Sequence, residues 1–140
     1  IKGGNHRLDT LQAIVLKHKL PHLQEWNERR RAIVKKYESL INNPKVSLPR
    51  TPPKCTPVHH VYPVLVDDRE GFMSYLNDNS IQSGIHYPIL MSEMPMYSKL
   101  SRETSKANEF SKKMVSLPIH PFMSEAEVQY LCEVINEYDG

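Results

Sequence analysis

Gly3-Gly4-Asn5-His6-Arg7 places two flexible glycines, an amide, an imidazole and a guanidinium just ahead of an amphipathic segment. A turn of this composition at a helix start offers backbone N–H groups, a carboxamide and a permanent cation to an anion such as a phosphate. Asn5 and Arg7 are the phosphate-binding candidates. Spacing alone favours a plainer reading, in which Asn5 or Asp9 merely caps the helix. A second candidate is Gly84-Ile85-His86-Tyr87-Pro88, where a His–Tyr pair closes an extended stretch and proline stops it. Side chains at such an end sit where a loop begins, a common place for binding groups. The pattern leaves packing and binding roles for His86 and Tyr87 equally open. His120, between Pro118 and Pro121, reads as a packed corner.

Other reactive residue types form no convincing constellation. Cys55, His59 and His60 are near neighbours, but one cysteine and two histidines without a helical i, i+4 pair are not a metal site. Arg29-Arg30-Arg31 reads as a solvated helix face with Glu25 and Glu28 as partners three or four residues away. No phosphate loop, paired-carboxylate motif or serine elbow is present. The segment therefore carries no catalytic residue of its own, only candidate binding groups.

The elements that must position these groups follow from periodicity and punctuation. Leu8, Leu11, Ile14 and Val15 recur at helical spacing, and Leu20-Pro21 interrupts or kinks that helix. A longer helix is expected over residues 21–42, with Leu23, Trp26, Ile33, Tyr37 and Leu40/Ile41 on one face. Asn42-Asn43-Pro44 ends it. Val46–Leu48 is a candidate short strand, residues 49–57 are a proline-rich loop, and His60–Val66 is the best strand candidate. Asp67 with Glu70 predicts a capping box for a helix reaching Asn77. Ile81–Tyr87 reads as a strand, residues 89–106 as irregular, Ala107–Met114 as a short helix and Val115–Pro121 as extended. Ser124 with Glu127 is a second capping box, and Val128, Leu131, Cys132 and Ile135 mark a final helix. The expected class is α+β: long N-terminal helices (residues 1–43), then a small α/β domain (residues 44–140) with a mostly antiparallel sheet and helices on one face. The first half has more apolar helix face than so small a sheet can cover.

Bulk properties narrow the partners. The chain has 140 residues, 39% hydrophobic and 24% charged, as in a soluble globular protein. A net charge of +2 is too small to argue for nucleic acid. No apolar run approaches the roughly 20 residues of a membrane helix, so no membrane partner is expected. Two cysteines make no disulfide framework and predict free thiols in a reducing, cytoplasmic setting. The absence of an initiator Met predicts a cut or trimmed N-terminus.

Several stretches together resemble one family. "GGNHRLDTLQA" resembles the G-x-N-x-R-L-x-x-L-Q-A element of the DegT/DnrJ/EryC1/StrS sugar-nucleotide aminotransferases. "KLPHLQEWNERRRAIVKKYESL", "HHVYPVLV", "GIHYPIL", "PMY" and "VSLPIHPFMSEAEVQYLCEVIN" are similar to later elements in the same order. The resemblance implies a pyridoxal-phosphate (PLP) enzyme of the aspartate aminotransferase fold, acting as a homodimer in deoxyamino sugar biosynthesis. It implies that these residues correspond to the portion after the Schiff-base lysine, through truncation, cleavage or a split gene, and that the segment is inactive alone. A lysine-bound PLP would take an amino group from a donor amino acid, commonly glutamate, and pass it to a keto-sugar of a nucleoside diphosphate sugar. By the same resemblance Asn5 reaches the PLP phosphate of the other subunit and Arg7 supports that region. His86 and Tyr87 lie at the active-site mouth near the sugar nucleotide.

Two departures stand out. Ser92 and Met94 occupy positions where the family often has His and Gln, and Ser80 and Gln82 stand where glycines are frequent. A left-handed Ser80 costs about 1 kcal/mol relative to glycine, which predicts a reshaped turn. The alternatives are a PLP-dependent sugar dehydratase of the same family, or a non-catalytic free-standing domain that dimerises or binds a sugar nucleotide.

Overall fold

The computed structural model describes residues 8–100 and 104–140. Among them the order is α1 (Thr10–Lys19), α2 (Leu23–Leu40), β1 (Tyr62–Leu65), α3 (Arg69–Asp78), α4 (Ser105–Lys113), β2 (Met114–Leu117) and α5 (Glu125–Glu137). The class is α+β, built on a small antiparallel sheet, as expected from the sequence. No helix among the described residues is long and apolar enough to cross a membrane.

Local chemistry explains most boundaries. Asp9 caps α1, its carboxylate accepting from the Gln12 N–H at 2.9 Å. Leu20-Pro21-His22 forms one 3-10 turn between α1 and α2; proline fits this position because a first turn asks nothing of its missing N–H. α2 stops where Ile41 turns extended. Asn43 then ties the chain to the far end of the sequence. Its side-chain amide donates to the carbonyls of Ile135 and Tyr138, both at 2.8 Å, and its oxygen accepts from the Lys45 N–H at 2.9 Å.

β1 and β2 pair antiparallel, with Tyr62 opposite Leu117 and Val64 opposite Val115. Residues directly opposite share a face, so these four form one apolar surface, and all four are buried. They pack with Ile33, Val34 and Tyr37 of α2, Phe72 and Leu76 of α3, and Val128, Leu131, Cys132 and Ile135 of α5 in one core. The Tyr37 hydroxyl donates to the Pro118 carbonyl at 2.6 Å, securing the chain just after β2. Single bridges widen the sheet on both sides, Ser47 to Leu65 and Gly84 to Ser116.

Three expectations are corrected. The cap of α3 is Asp68, which accepts from the Gly71 N–H at 3.0 Å; Asp67 instead meets Lys113 at 2.9 Å. The predicted 81–87 strand shrinks to the Gly84 bridge, because Ile81 donates back to the Leu76 carbonyl at 2.8 Å and Tyr87 turns to φ 58°. Within residues 89–106, two stretches are 3-10 turns, Met91–Glu93 and Pro95–Leu100. The Ser124–Glu127 capping box forms as expected, with both reciprocal hydrogen bonds present. The expected surplus of apolar helix face is real: α1 has no buried residue, and Leu8, Leu11, Ile14, Val15 and Leu16 are all exposed.

Replacing Asn43 with Ala should lower unfolding free energy by about 2 kcal/mol in urea titration, since buried carbonyls lose their donor. Burial, with a smaller push from Glu133, raises the Cys132 thiol to about 11. Burial likewise raises Tyr37, helped by Cys132 and Tyr62, and raises Tyr62, helped by Glu38 and Cys132. The folded state thus holds these protons more tightly than the unfolded chain. These groups add no pH dependence below about pH 9 and reduce stability as pH climbs from 9 toward 11. Denaturation midpoints measured from pH 7 to 11 should show that fall, and a Cys132→Ala variant a shallower one.

Candidate functional site

The chain leaves α3 through a tight turn in which Ser80 adopts φ 59° and donates its N–H to the Asn77 carbonyl at 2.9 Å. Serine thus takes a left-handed backbone conformation that favours glycine. Residues 80–86 then run beside β2, where Gly84 and Ser116 exchange both backbone hydrogen bonds, at 3.2 and 2.7 Å. Between this stretch, the chain after β2 and the first half of α5 lies a cleft of about 650 Å³. Its floor includes Ile81, Leu117 and Leu131, and its polar wall His60, Gln82, Ser83, His86, His120 and Tyr130. The Tyr130 hydroxyl donates to the Asn79 carbonyl at 3.1 Å and closes one end.

His86 stands on this wall with Nδ1 2.8 Å from the Ser116 hydroxyl. Tyr87 follows with its ring 6.4 Å from the imidazole, centroid to centroid, and 74% exposed. A bulky residue at φ 58° is strained, and the ring gains no burial that would offset the strain. The structure brings His86 into the cleft and sets Tyr87 exposed beside it. Asn5 and Arg7 lie outside the described residues. Since Asp9 supplies the cap of α1, the capping role that competed with phosphate contact for Asn5 is already taken.

His120 is not a packed corner. It is exposed on the cleft wall, and its Nδ1 accepts from the Phe122 N–H at 3.3 Å. Pro118, held by Tyr37, anchors this segment instead. Arg29 pairs with Glu25 at 2.7 Å on a solvated face, as read from the sequence, while Glu28 accepts from Gln24. Ser92 sits 3.2 Å from Thr104, oxygen to oxygen. Among the described residues, no group of three or more His, Cys, Asp or Glu is placed to hold a metal ion.

The cleft's described lining includes no Lys or Arg. Its one carboxylate, Glu127, is engaged by the backbone and hydroxyl of Ser124, which hold it below the usual carboxylate range. The wall is therefore rich in hydrogen-bonding groups over an apolar floor, a surface suited to a hydroxylated ring. Sequence reasoning missed Ser116, Gln82 and Tyr130. Only a lone serine within an apolar strand hinted at the first.

An α+β chain with this cleft matches known proteins along its length. The DegT/DnrJ/EryC1/StrS aminotransferase family description matches residues 1–136, and the chain belongs to that family. It is 41% identical over 138 residues to dTDP-3-amino-3,6-dideoxy-alpha-D-galactopyranose transaminase of Aneurinibacillus thermoaerophilus, covering 98% of this chain and 38% of that protein. It is 35% identical to dTDP-3-amino-3,4,6-trideoxy-alpha-D-glucose transaminase of Streptomyces venezuelae, covering 98% and 37%. Among solved structures, S. venezuelae DesV in complex with a ketimine intermediate superposes with a TM-score of 0.86 at 33% identity, over 98% of this chain and 38% of that one. A Brucella abortus family member superposes at 0.84 with 29% identity, over 95% and 36%. The chain thus spans somewhat over a third of the length of the relatives it matches.

The turn that opens the cleft can be tested directly. Ser80→Gly should raise stability by about 0.5–1 kcal/mol, the left-handed strain of serine less the extra chain entropy of glycine. Urea denaturation of the two proteins side by side measures it.

Proposed function

We propose that the chain is the substrate-placing portion of a PLP-dependent aminotransferase. In this reading the enzyme moves an amino group from an amino acid, glutamate, to a keto-sugar of a nucleoside diphosphate sugar. It works as a homodimer. The observation that carries the proposal is the cleft: His86 lines it and strained, exposed Tyr87 stands next to it, in a chain similar along nearly all its length to proteins named as dTDP-sugar transaminases. Residues 1–43 serve as connecting helices, and residues 44–140 as a domain like the small C-terminal domain of the aspartate aminotransferase fold.

The described cleft residues do not fit the phosphate of PLP, because no Lys or Arg is among them. In the proposal that dianion falls to Asn5 and Arg7 in the N-terminal turn, outside the described residues. The cleft's own work is sugar placement. His86, with Gln82 and Ser83, offers donors and acceptors to hydroxyl groups, and the exposed Tyr87 ring offers a flat apolar face. The apolar floor of Ile81, Leu117 and Leu131 excludes water from the underside of a bound ring. This division explains why a cleft lined by no described Lys or Arg can serve a PLP enzyme: the cofactor's phosphate is met elsewhere.

The test uses the complete gene product, a dTDP-linked keto-sugar and glutamate, with mass spectrometry of the nucleotide sugar. Formation of the amino sugar nucleotide with matching 2-oxoglutarate release is the expected result. No transfer by PLP-loaded protein with dTDP-, UDP- and GDP-linked keto-sugars would overturn the reading. Asn5→Ala should raise the PLP concentration giving half-maximal activity by about 10- to 100-fold, the worth of one hydrogen bond to a charged acceptor.

A further inference from the structure

We propose that Ser116 is a positioning residue for His86: it fixes the imidazole in the tautomer that carries its proton on Nε2. His86 thereby presents a hydrogen-bond donor, not an acceptor, to the cleft. Ser116 is 4% exposed and lies in the middle of β2, between Val115 and Leu117, which are buried in the core. Its backbone N–H is spent on the Gly84 carbonyl at 2.7 Å. Among the described residues, its hydroxyl has one hydrogen-bond partner, His86 Nδ1 at 2.8 Å.

That contact allows two arrangements. If Nδ1 carries the proton and donates to the serine oxygen, the hydroxyl proton of a serine only 4% exposed has no protein acceptor among the described residues. If the serine donates to Nδ1, both groups are satisfied and the imidazole proton must sit on Nε2. Buried donors are rarely left unpaired, so the second arrangement holds. The backbone makes the pairing possible. Gly84 lies directly opposite Ser116 in the bridge, and the His86 ring lies over the same face, its Cε1 3.8 Å from where a Cβ on Gly84 would stand. Nδ1 is turned toward the buried serine while the residue as a whole is exposed on the cleft wall, so Nε2 is on the open side.

An Nε2–H donor selects an oxygen acceptor on whatever occupies the cleft: a hydroxyl, carbonyl or phosphoryl oxygen. Under the proposed function that oxygen belongs to the sugar nucleotide, and only this identity rests on that reading. The Ser116–His86 pair itself does not.

Long-range proton–nitrogen correlation spectra of the uniformly 15N-labelled full chain, at a pH above the histidine titration, read both ring nitrogens of His86. The expected wild-type spectrum shows Nε2 protonated and Nδ1 as an unprotonated nitrogen displaced by an accepted hydrogen bond. In Ser116→Ala the Nδ1 signal should move toward the value of a free imidazole, with a larger share of the Nδ1–H form. Unchanged Gly84 and Val115 amide shifts establish that the bridge survives, and Ser116→Thr, which keeps the hydroxyl, should restore the wild-type signature. A proton on Nδ1 in the wild-type chain overturns the proposal even if the alanine variant does not fold. So does an alanine variant with an intact bridge and unaltered His86 nitrogens. The spectra need no substrate, so failure of sugar-nucleotide turnover would count against the proposed function and not against this pairing.

Discussion

The structure depends on hiding one face of a sheet only four residues long in each strand. Tyr62, Val64, Val115 and Leu117 lie side by side and disappear under α2, α3 and α5. Burial of that face sets the register, because a slip of one residue would turn every side chain of β2 over. Val115 would then leave the core, and Ser116 would enter it with an unpaired hydroxyl. The same burial that stabilises the fold therefore puts Ser116 under His86.

Hydrogen bonds at the core's edges extend this control. Tyr37 holds Pro118, so the chain after β2 leaves in one direction and His120 reaches the cleft wall. Asn43 joins the end of α2 to the end of α5, closing the core with a buried polar clamp. Two of the four left-handed non-glycine residues among those described lie beside the site, the others being Lys54 and His59 ahead of β1. Ser80 and Tyr87, at either end of the stretch that carries His86, both adopt left-handed backbone conformations. The turn at Ser80 is held by hydrogen bonds to α3. The exposed ring of Tyr87 has no such support, which is the pattern expected where a conformation serves binding more than folding.

α1 presents the opposite situation. Its residues repeat at helical spacing and its cap is well made, yet its leucines are exposed. Capping and helix propensity suffice to shape it, and among the described residues nothing covers its apolar face.

What could be read from residues alone was what depends on near neighbours. α5 was legible because its capping box and its Val128, Leu131, Cys132, Ile135 spacing lie within a few turns. The break at Leu20-Pro21 and the solvated Arg29–Glu25 face are local for the same reason. The order of motifs carried the family, since each motif is a short run. Other features needed the tertiary structure, because their partners are far apart along the chain. Ile81–Tyr87 has the composition of a strand, but hydrogen bonds to α3 and the turn at Tyr87 left it a single bridge. Two adjacent aspartates each suit a helix cap, and only the structure shows that Asp68 caps α3 while Asp67 meets Lys113, more than forty residues away. His86 and Ser116 are thirty residues apart, and no local pattern announces that a serine proton will choose which nitrogen of a distant histidine faces the cleft.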